Sequence, residues 1–240
     1  MNHRQQKIFQ GYYGKLPTHG DFISKGLPRS FIEPWDTWLQ TALFSSQKKL
    51  GSAWLDSYLT APPYWYVLSP HNCGQQIWMG VMIPSVDRIG RYFPLTLCRT
   101  ASASANPLLL FTQHQQWFED AERLLMSCLA DDFQLTVFEQ RLQHLSLDES
   151  GTMIQPSLQH YNQSAWRVPA TRLDQDVRVY PLLLADILNN FCPAYSVWKT
   201  EGSQSISASL LVSEGLPPFA GFSSLLDGNW GKAGWLYSGS

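Results

Sequence analysis

The sequence predicts a mixed α/β domain in which helices are laid over a sheet, and three observations carry that expectation. Short aromatic and β-branched runs cluster between positions 64 and 98 and again between 195 and 213, while the segments around them space apolar residues at helical intervals. Charged residues make up 15% of the chain, against about 25% in a usual globular domain, and ten Trp, ten Tyr and twelve Phe supply apolar surface that must be buried or matched by a partner. No repeat, heptad or low-complexity tract appears, and 240 residues suffice for a substantial core without disulfides or metals, so one domain over 1–240 is the economical reading.

Taken in order, a first helix is expected from about Ser30 to Leu43, because Trp35, Trp38, Leu39, Ala42 and Leu43 share one face. Ser30 and Glu33 suggest a capping box, and Pro34 is read as lying in the first turn, where its missing donor does least harm. A second helix, about Gln47 to Leu59, presents Leu50, Trp54, Leu55, Tyr58 and Leu59 before Pro62-Pro63 stops it. Tyr64 to Leu68, Ile77 to Ile83 and Tyr92 to Cys98 then read as an antiparallel meander, with Pro94 marking the third run as an edge strand, a strand start or a bulge.

Residues Arg99 to Pro107 read as a connection, followed by amphipathic helices over about Gln113 to Ala130 and Leu135 to Leu145. Periodicity fades from Ser146 to Asp176, so that stretch is read as loop-rich or as carrying short pieces. Pro181 is read as opening a helix whose Leu182, Leu183, Leu184, Ile187, Leu188 and Phe191 are apolar enough to be nearly buried. Tyr195 to Thr200 and Ile206 to Ser213 read as two more strands, and Phe219 to Leu226 as a final short helix.

A net charge of -2 and the lack of a basic run remove the electrostatic footprint that a phosphate backbone requires, so nucleic acid is not an expected partner. No apolar run approaches the 18 residues of a membrane span, and the basic start Met1 to Lys7 leads into only a short apolar patch; a cytoplasmic protein without membrane insertion is expected. Cys73, Cys98, Cys128 and Cys192 are far apart with no CxxC, which reads as reduced thiols, Cys98 and Cys128 among apolar neighbours.

Motifs that tempt a catalytic or cofactor reading fail on spacing. Gly11 to Lys15 and Gly228 to Lys232 lack the four-residue gap of a phosphate loop, and Leu16 and Ala233 stand where a magnesium-reaching Ser or Thr is needed. His71 and Cys73 lack a second ligand pair, His144 and His160 lack a helical partner, and Glu119 with Glu122 is spaced like a solvated helix face. No GxSxG elbow occurs. No cofactor or metal is expected.

Two stretches survive. Gly14 to Phe22 and Pro84 to Leu95 each alternate glycine, proline and charge in a chain otherwise sparing with charge. One reading has Asp21 and Asp87 capping turns while Arg88 and Arg91 pair with carboxylates or carbonyls. The other has Lys15, Asp21, Asp87, Arg88 and Arg91 forming a polar recognition surface. A third, a cryptic hydrolase or phosphatase, needs Asp21, Asp87 and histidines to converge around a pocket within roughly 4 Å.

These stretches resemble the TagF family, accessory proteins of bacterial type VI secretion systems. The resemblance rests on Gly14-Lys15-Leu16-Pro17, Gly20-Asp21-Phe22, Leu27-Pro28 and the Trp35 and Trp38 helix, then on Pro84-Ser85-Val86-Asp87-Arg88 through Gly90-Arg91 to Phe93-Pro94-Leu95. Ser196 to Ser203 and Gly215-Leu216-Pro217 are similar to later blocks, with Lys199 where an aromatic is the family habit. The resemblance implies a three-layer α-β-α sandwich around a mixed, largely antiparallel sheet. It also implies a non-enzymatic protein that restrains secretion after translation by binding the system's forkhead-associated (FHA) scaffold protein. Some members carry a fused PP2C-type phosphatase domain; here the sequence ends at Ser240, so a phosphatase effect is expected from a separate polypeptide.

Overall fold

The computed structural model describes residues 7–147, 159–161, 165–167 and 176–235. Its centre is a seven-stranded sheet built from β1 (Gln10–Gly14), β2 (Ile23–Lys25), β3 (Tyr64–Leu68), β4 (Trp78–Ile83), β5 (Leu95–Thr100), β8 (Tyr195–Thr200) and β9 (Ser209–Glu214), in the order β2-β1-β5-β4-β3-β8-β9. Two three-residue strands, β6 (Gln159–Tyr161) and β7 (Ala165–Arg167), pair separately. Every pairing among the described residues is antiparallel, and β3 to β5 form the expected meander.

Alternation sends Trp65 and Val67 of β3 to one face and Tyr64, Tyr66 and Leu68 to the other, and all five are buried. A strand buried on both faces needs two covering layers, and helices supply them. On the first face lie α3 (Leu110–Gln113), α4 (Gln115–Met126), α5 (Leu135–His144) and α6 (Asp176–Phe191). On the second lie α1 (Arg29–Leu50), α2 (Trp54–Leu59) and α7 (Ser224–Asp227), where Phe31, Trp35 and Trp38 pack on Tyr66, Trp78 and Trp198. Gly80 makes room on this face: a Cβ there would fall 2.6 Å from the Tyr66 ring and 2.7 Å from Cys98 Cβ.

Several boundaries depart from expectation. The first helix does not stop at Leu43, because Ser45-Ser46-Gln47 contains no breaker; it ends at Gly51, whose φ of 54° only glycine adopts freely. Ser46 is part of the core instead, its hydroxyl donating to Leu43 O and accepting from Trp54 Nε1. The capping box does not form, since Pro28 occupies the N-cap and Ser30 is already helical, and Pro34 lies inside the helix. Strands β1 and β2 have no counterpart in the sequence reading. Gly11 hides β1 from propensity yet is required there, as a Cβ would strike Lys25 O at 2.0 Å.

Pro94 proves to be a strand start rather than an edge or a bulge: β5 begins one residue later and is central, paired with both β1 and β4. The connection after it is shorter than expected, since the strand runs to Thr100 and a 3-10 turn begins at Pro107. The helix read from Gln113 to Ala130 is α4, preceded by α3 and continued by a 3-10 turn at Ser127–Leu129. Most of Ser146 to Asp176 lies outside the described residues. Pro181 sits within α6 rather than opening it, and α6 is not nearly buried: Tyr180, Leu184, Ile187 and Phe191 are exposed, because the helix lies at the margin of the layer with only Ala185 fully covered among residues 180–191. The last expected strand is Ser209–Glu214, and the final helix splits into a 3-10 turn at Phe219–Gly221 and α7. Cys73, Cys98 and Cys128 are buried free thiols, and Cys192 is half-buried.

Candidate functional site

The two charged stretches form one structure. The chain leaving β1 places Lys15 beneath the turn that joins β4 to β5, and that turn is closed by a bridge between Val86 and Tyr92. Within it Asp87 N donates to Arg91 O and Gly90 N to Asp87 O, both at 3.0 Å, with Gly90 at φ 84° to permit the reversal.

Asp87 is the hub. Its Oδ1 accepts from the backbone N–H of Ile89 at 3.0 Å and of Arg91 at 2.9 Å. Its Oδ2 accepts from Lys15 Nζ at 2.9 Å and Arg91 Nε at 2.7 Å. Four donors match the acceptor sites of one carboxylate, so a residue only 3% exposed carries its charge with every lone pair engaged. Burial alone pushes the Asp87 carboxyl up; the Arg91 N–H, the Lys15 ammonium, the Arg91 guanidinium and the Ile89 N–H outweigh it and hold the group well below the usual carboxylate range.

Further bonds fasten the first stretch to the second. Arg91 Nη2 donates to Gly20 O, Arg88 N to His19 O at 2.9 Å and Ser85 Oγ to Lys15 O at 2.8 Å. From α2, Tyr58 donates its hydroxyl to Ser85 O and accepts from Ser85 N. Phe22 covers the pair, with Lys15 Nζ 5.0 Å from its ring centroid and the Phe93 ring edge-on at 4.9 Å.

The five residues singled out from sequence therefore separate. Lys15, Asp87 and Arg91 come together. Asp21 does not join them: it is exposed, and its carboxylate accepts from Phe22 N at 2.8 Å. Arg88 is also exposed, its guanidinium beside Gly20, with no ion pair among the described residues, while the neighbouring Ile89 is 65% exposed at the tip of the turn. Tyr58, Ser85 and Phe22 complete the hub without having been singled out; Ser85 and Phe22 stand inside the two stretches, whereas Tyr58 reads only as one apolar position of a helix.

The convergence that a hydrolase needs is not built at these positions. Asp21 and Asp87 have separate partners, His19 Nδ1 meets Thr18 Oγ1, His71 is an exposed turn residue while Cys73 is buried, and His144 Nδ1 meets Gln140 O. The side chain of His160 lies outside the described residues. Glu122 is not on a solvated face: it accepts from Trp65 Nε1. Among the described residues no group of three or more His, Cys, Asp or Glu side chains is placed to hold a metal ion.

Residues 11–145, which carry this hub, match the TagF N-terminal domain, type VI secretion system-associated. The chain belongs to the TagF family. It is similar to PA0076 from Pseudomonas aeruginosa PAO1, whose crystal structure superposes with a TM-score of 0.79 at 36% identity, covering 93% of this chain and 95% of that one. No curated protein matches. No helix among the described residues is long and apolar enough to cross a membrane.

Proposed function

We propose that this type VI secretion accessory protein is a cytoplasmic, non-enzymatic, post-translational negative regulator that binds the system's FHA-domain scaffold, with residues 1–240 forming one TagF-like domain. The observation that carries the reading is the TagF N-terminal domain match over residues 11–145. The geometry of the hub agrees with it. A carboxylate whose acceptor sites are filled by Lys15, Arg91 and two backbone donors has no lone pair left for a substrate or a metal, so Asp87 serves to shape the turn. The same turn leaves Arg88 exposed beside Gly20 and Ile89 exposed at its tip, a charged and an apolar side chain side by side.

The reading divides the charged residues into two tasks: Lys15, Asp87 and Arg91 brace the turn, while Arg88 and Asp21, exposed outside the hub, are open to a partner. A pull-down with the cognate FHA scaffold tests it, comparing wild type, Arg88→Ala, Arg91→Ala and an Arg123→Ala control on α4. Wild type is retained by the scaffold, and deletion of the protein raises secretion. Absence of binding by well-folded wild type, together with unchanged secretion on deletion, would overturn the reading; binding retained by both arginine variants would assign the turn to architecture alone.

A further inference from the structure

We propose that the outer edge of β9 is the docking surface for a second copy of this chain, which adds its own β9 antiparallel so that one sheet runs through both molecules. Among the described residues β9 has a single neighbour, β8. Natural sheets blunt such edges with short strands, lysine or proline. The opposite edge follows that habit, since β2 is three residues long and ends on Lys25. By contrast β9 is six residues long, holds Leu210, Leu211 and Val212 at its centre, and contains neither lysine nor proline.

Alternation turns Leu211 into the core under α1 and leaves Leu210 and Val212 on the other face, 66% and 40% exposed. Above them α6 presents Tyr180, Leu184 and Ile187 at positions i, i+4 and i+7, all exposed, across an open apolar groove of about 820 Å³. These five side chains supply roughly a few hundred Å² of exposed, mostly apolar surface in one contiguous patch, the scale of the apolar core of a standard interface of about 800 Å² per partner. A monomer that leaves this much contiguous apolar surface open marks an interaction site.

A second copy fits because the edge is self-complementary. A two-fold axis normal to the sheet through Leu211 sets Leu210 of each copy opposite Val212 of the other, on the face shared with α6. The only charge in β9, Glu214, lies at its end beyond that ladder, so no like charges meet across the seam. The same axis brings both α6 helices to one face, where their Tyr180, Leu184 and Ile187 stripes flank the joined strands.

The test is the mass of the full chain in solution by light scattering over a micromolar to hundred-micromolar range, for wild type and for Leu210→Lys with Val212→Lys. Both substituted side chains are exposed, so the variant keeps the wild-type far-UV circular dichroism. The expected result is a mass of two chains for wild type and one chain for the variant, with the alternate amides of 209–214 that face away from β8 exchanging deuterium at least tenfold more slowly in concentrated than in dilute wild type. A wild type that is one chain throughout, or a variant that remains two, overturns the proposal. If wild type is one chain and only the variant loses the FHA scaffold, the groove belongs to that heterologous partner and the second copy is excluded. Should the variant misfold, the exchange measurement on wild type decides: unchanged protection at 209–214 overturns the proposal.

Discussion

Lys15 and Asp87 stand 72 positions apart and meet in a buried ion pair at 2.9 Å. The contact joins the loop after β1 to the turn before β5, and its two side chains are 6% and 0% exposed. A pair so enclosed stabilises the fold less than its attraction suggests, since both charges have left water, but removal of one partner strands the other.

Asp87→Ala is therefore expected to lower the melting temperature by on the order of 10 °C, measured by circular dichroism, because Lys15 is left buried and uncompensated. Arg91→Ala has a much smaller effect, its side chain being 51% exposed and able to be replaced by water. Equal losses in the two variants would contradict the assignment of Asp87 as the hub.

The response to acid has a definite sign. Folding holds the Asp87 carboxyl below its unfolded value, so the unfolded chain binds the proton more readily. The stability from this group is complete above the unfolded value of about 4 and drains away as pH falls below it. Urea midpoints measured at descending pH are expected to fall more steeply for wild type than for Asp87→Asn, which begins less stable; parallel curves would remove Asp87 from the acid response.

Two glycines separate steric from conformational demand. Gly80→Ala forces a methyl against the Tyr66 ring, whose hydroxyl is already held by Thr96, and is expected to cost about 3 kcal/mol in urea unfolding. Gly90→Ala meets no atom of the described residues within 4 Å, so its φ of 84° is what opposes the change and the cost is about 1 kcal/mol.

Neighbouring tryptophans of α1 make a similar contrast. Trp38 Nε1 donates to Pro217 O at 2.9 Å, whereas Trp35 Nε1 is buried with no hydrogen-bond partner among the described residues. Trp38→Phe is expected to be less stable than Trp35→Phe by about 1 kcal/mol, since it orphans the Pro217 carbonyl. Chemical denaturation of the two variants side by side measures the difference.

Much of the fold was legible because periodicity records burial. The β3 to β5 meander, α4, α5 and β8 fall close to where alternation and helical spacing place them. The failures have particular causes. Gly11 and Gly14 disguised β1, since glycine is chosen there for backbone approach and not for propensity. The apolar run of α6 has the composition of a buried helix, yet it lies at the margin with Tyr180 67% and Phe191 75% exposed. Periodicity reports how apolar a face is, and says nothing of whether the same chain covers it.

What the sequence determined by itself is the identity of the charged segments and the family they mark, because the order of Gly14 to Phe22 and Pro84 to Leu95 along the chain is a covalent fact. What only the tertiary structure decided is which of their charges pair. Arg88 and Arg91 differ by three positions in one turn, but Arg91 pairs with Asp87 while Arg88 lies against Gly20 with no ion pair among the described residues. That outcome depends on where β1 delivers Lys15 and Gly20, through pairing with a strand more than 80 positions away, as the register of Gln10 with Arg99 shows. Hydrogen bonds and ion pairs reach only a few ångströms, so the partner of a charge is set by the packing of distant segments and cannot be read from its neighbours along the chain.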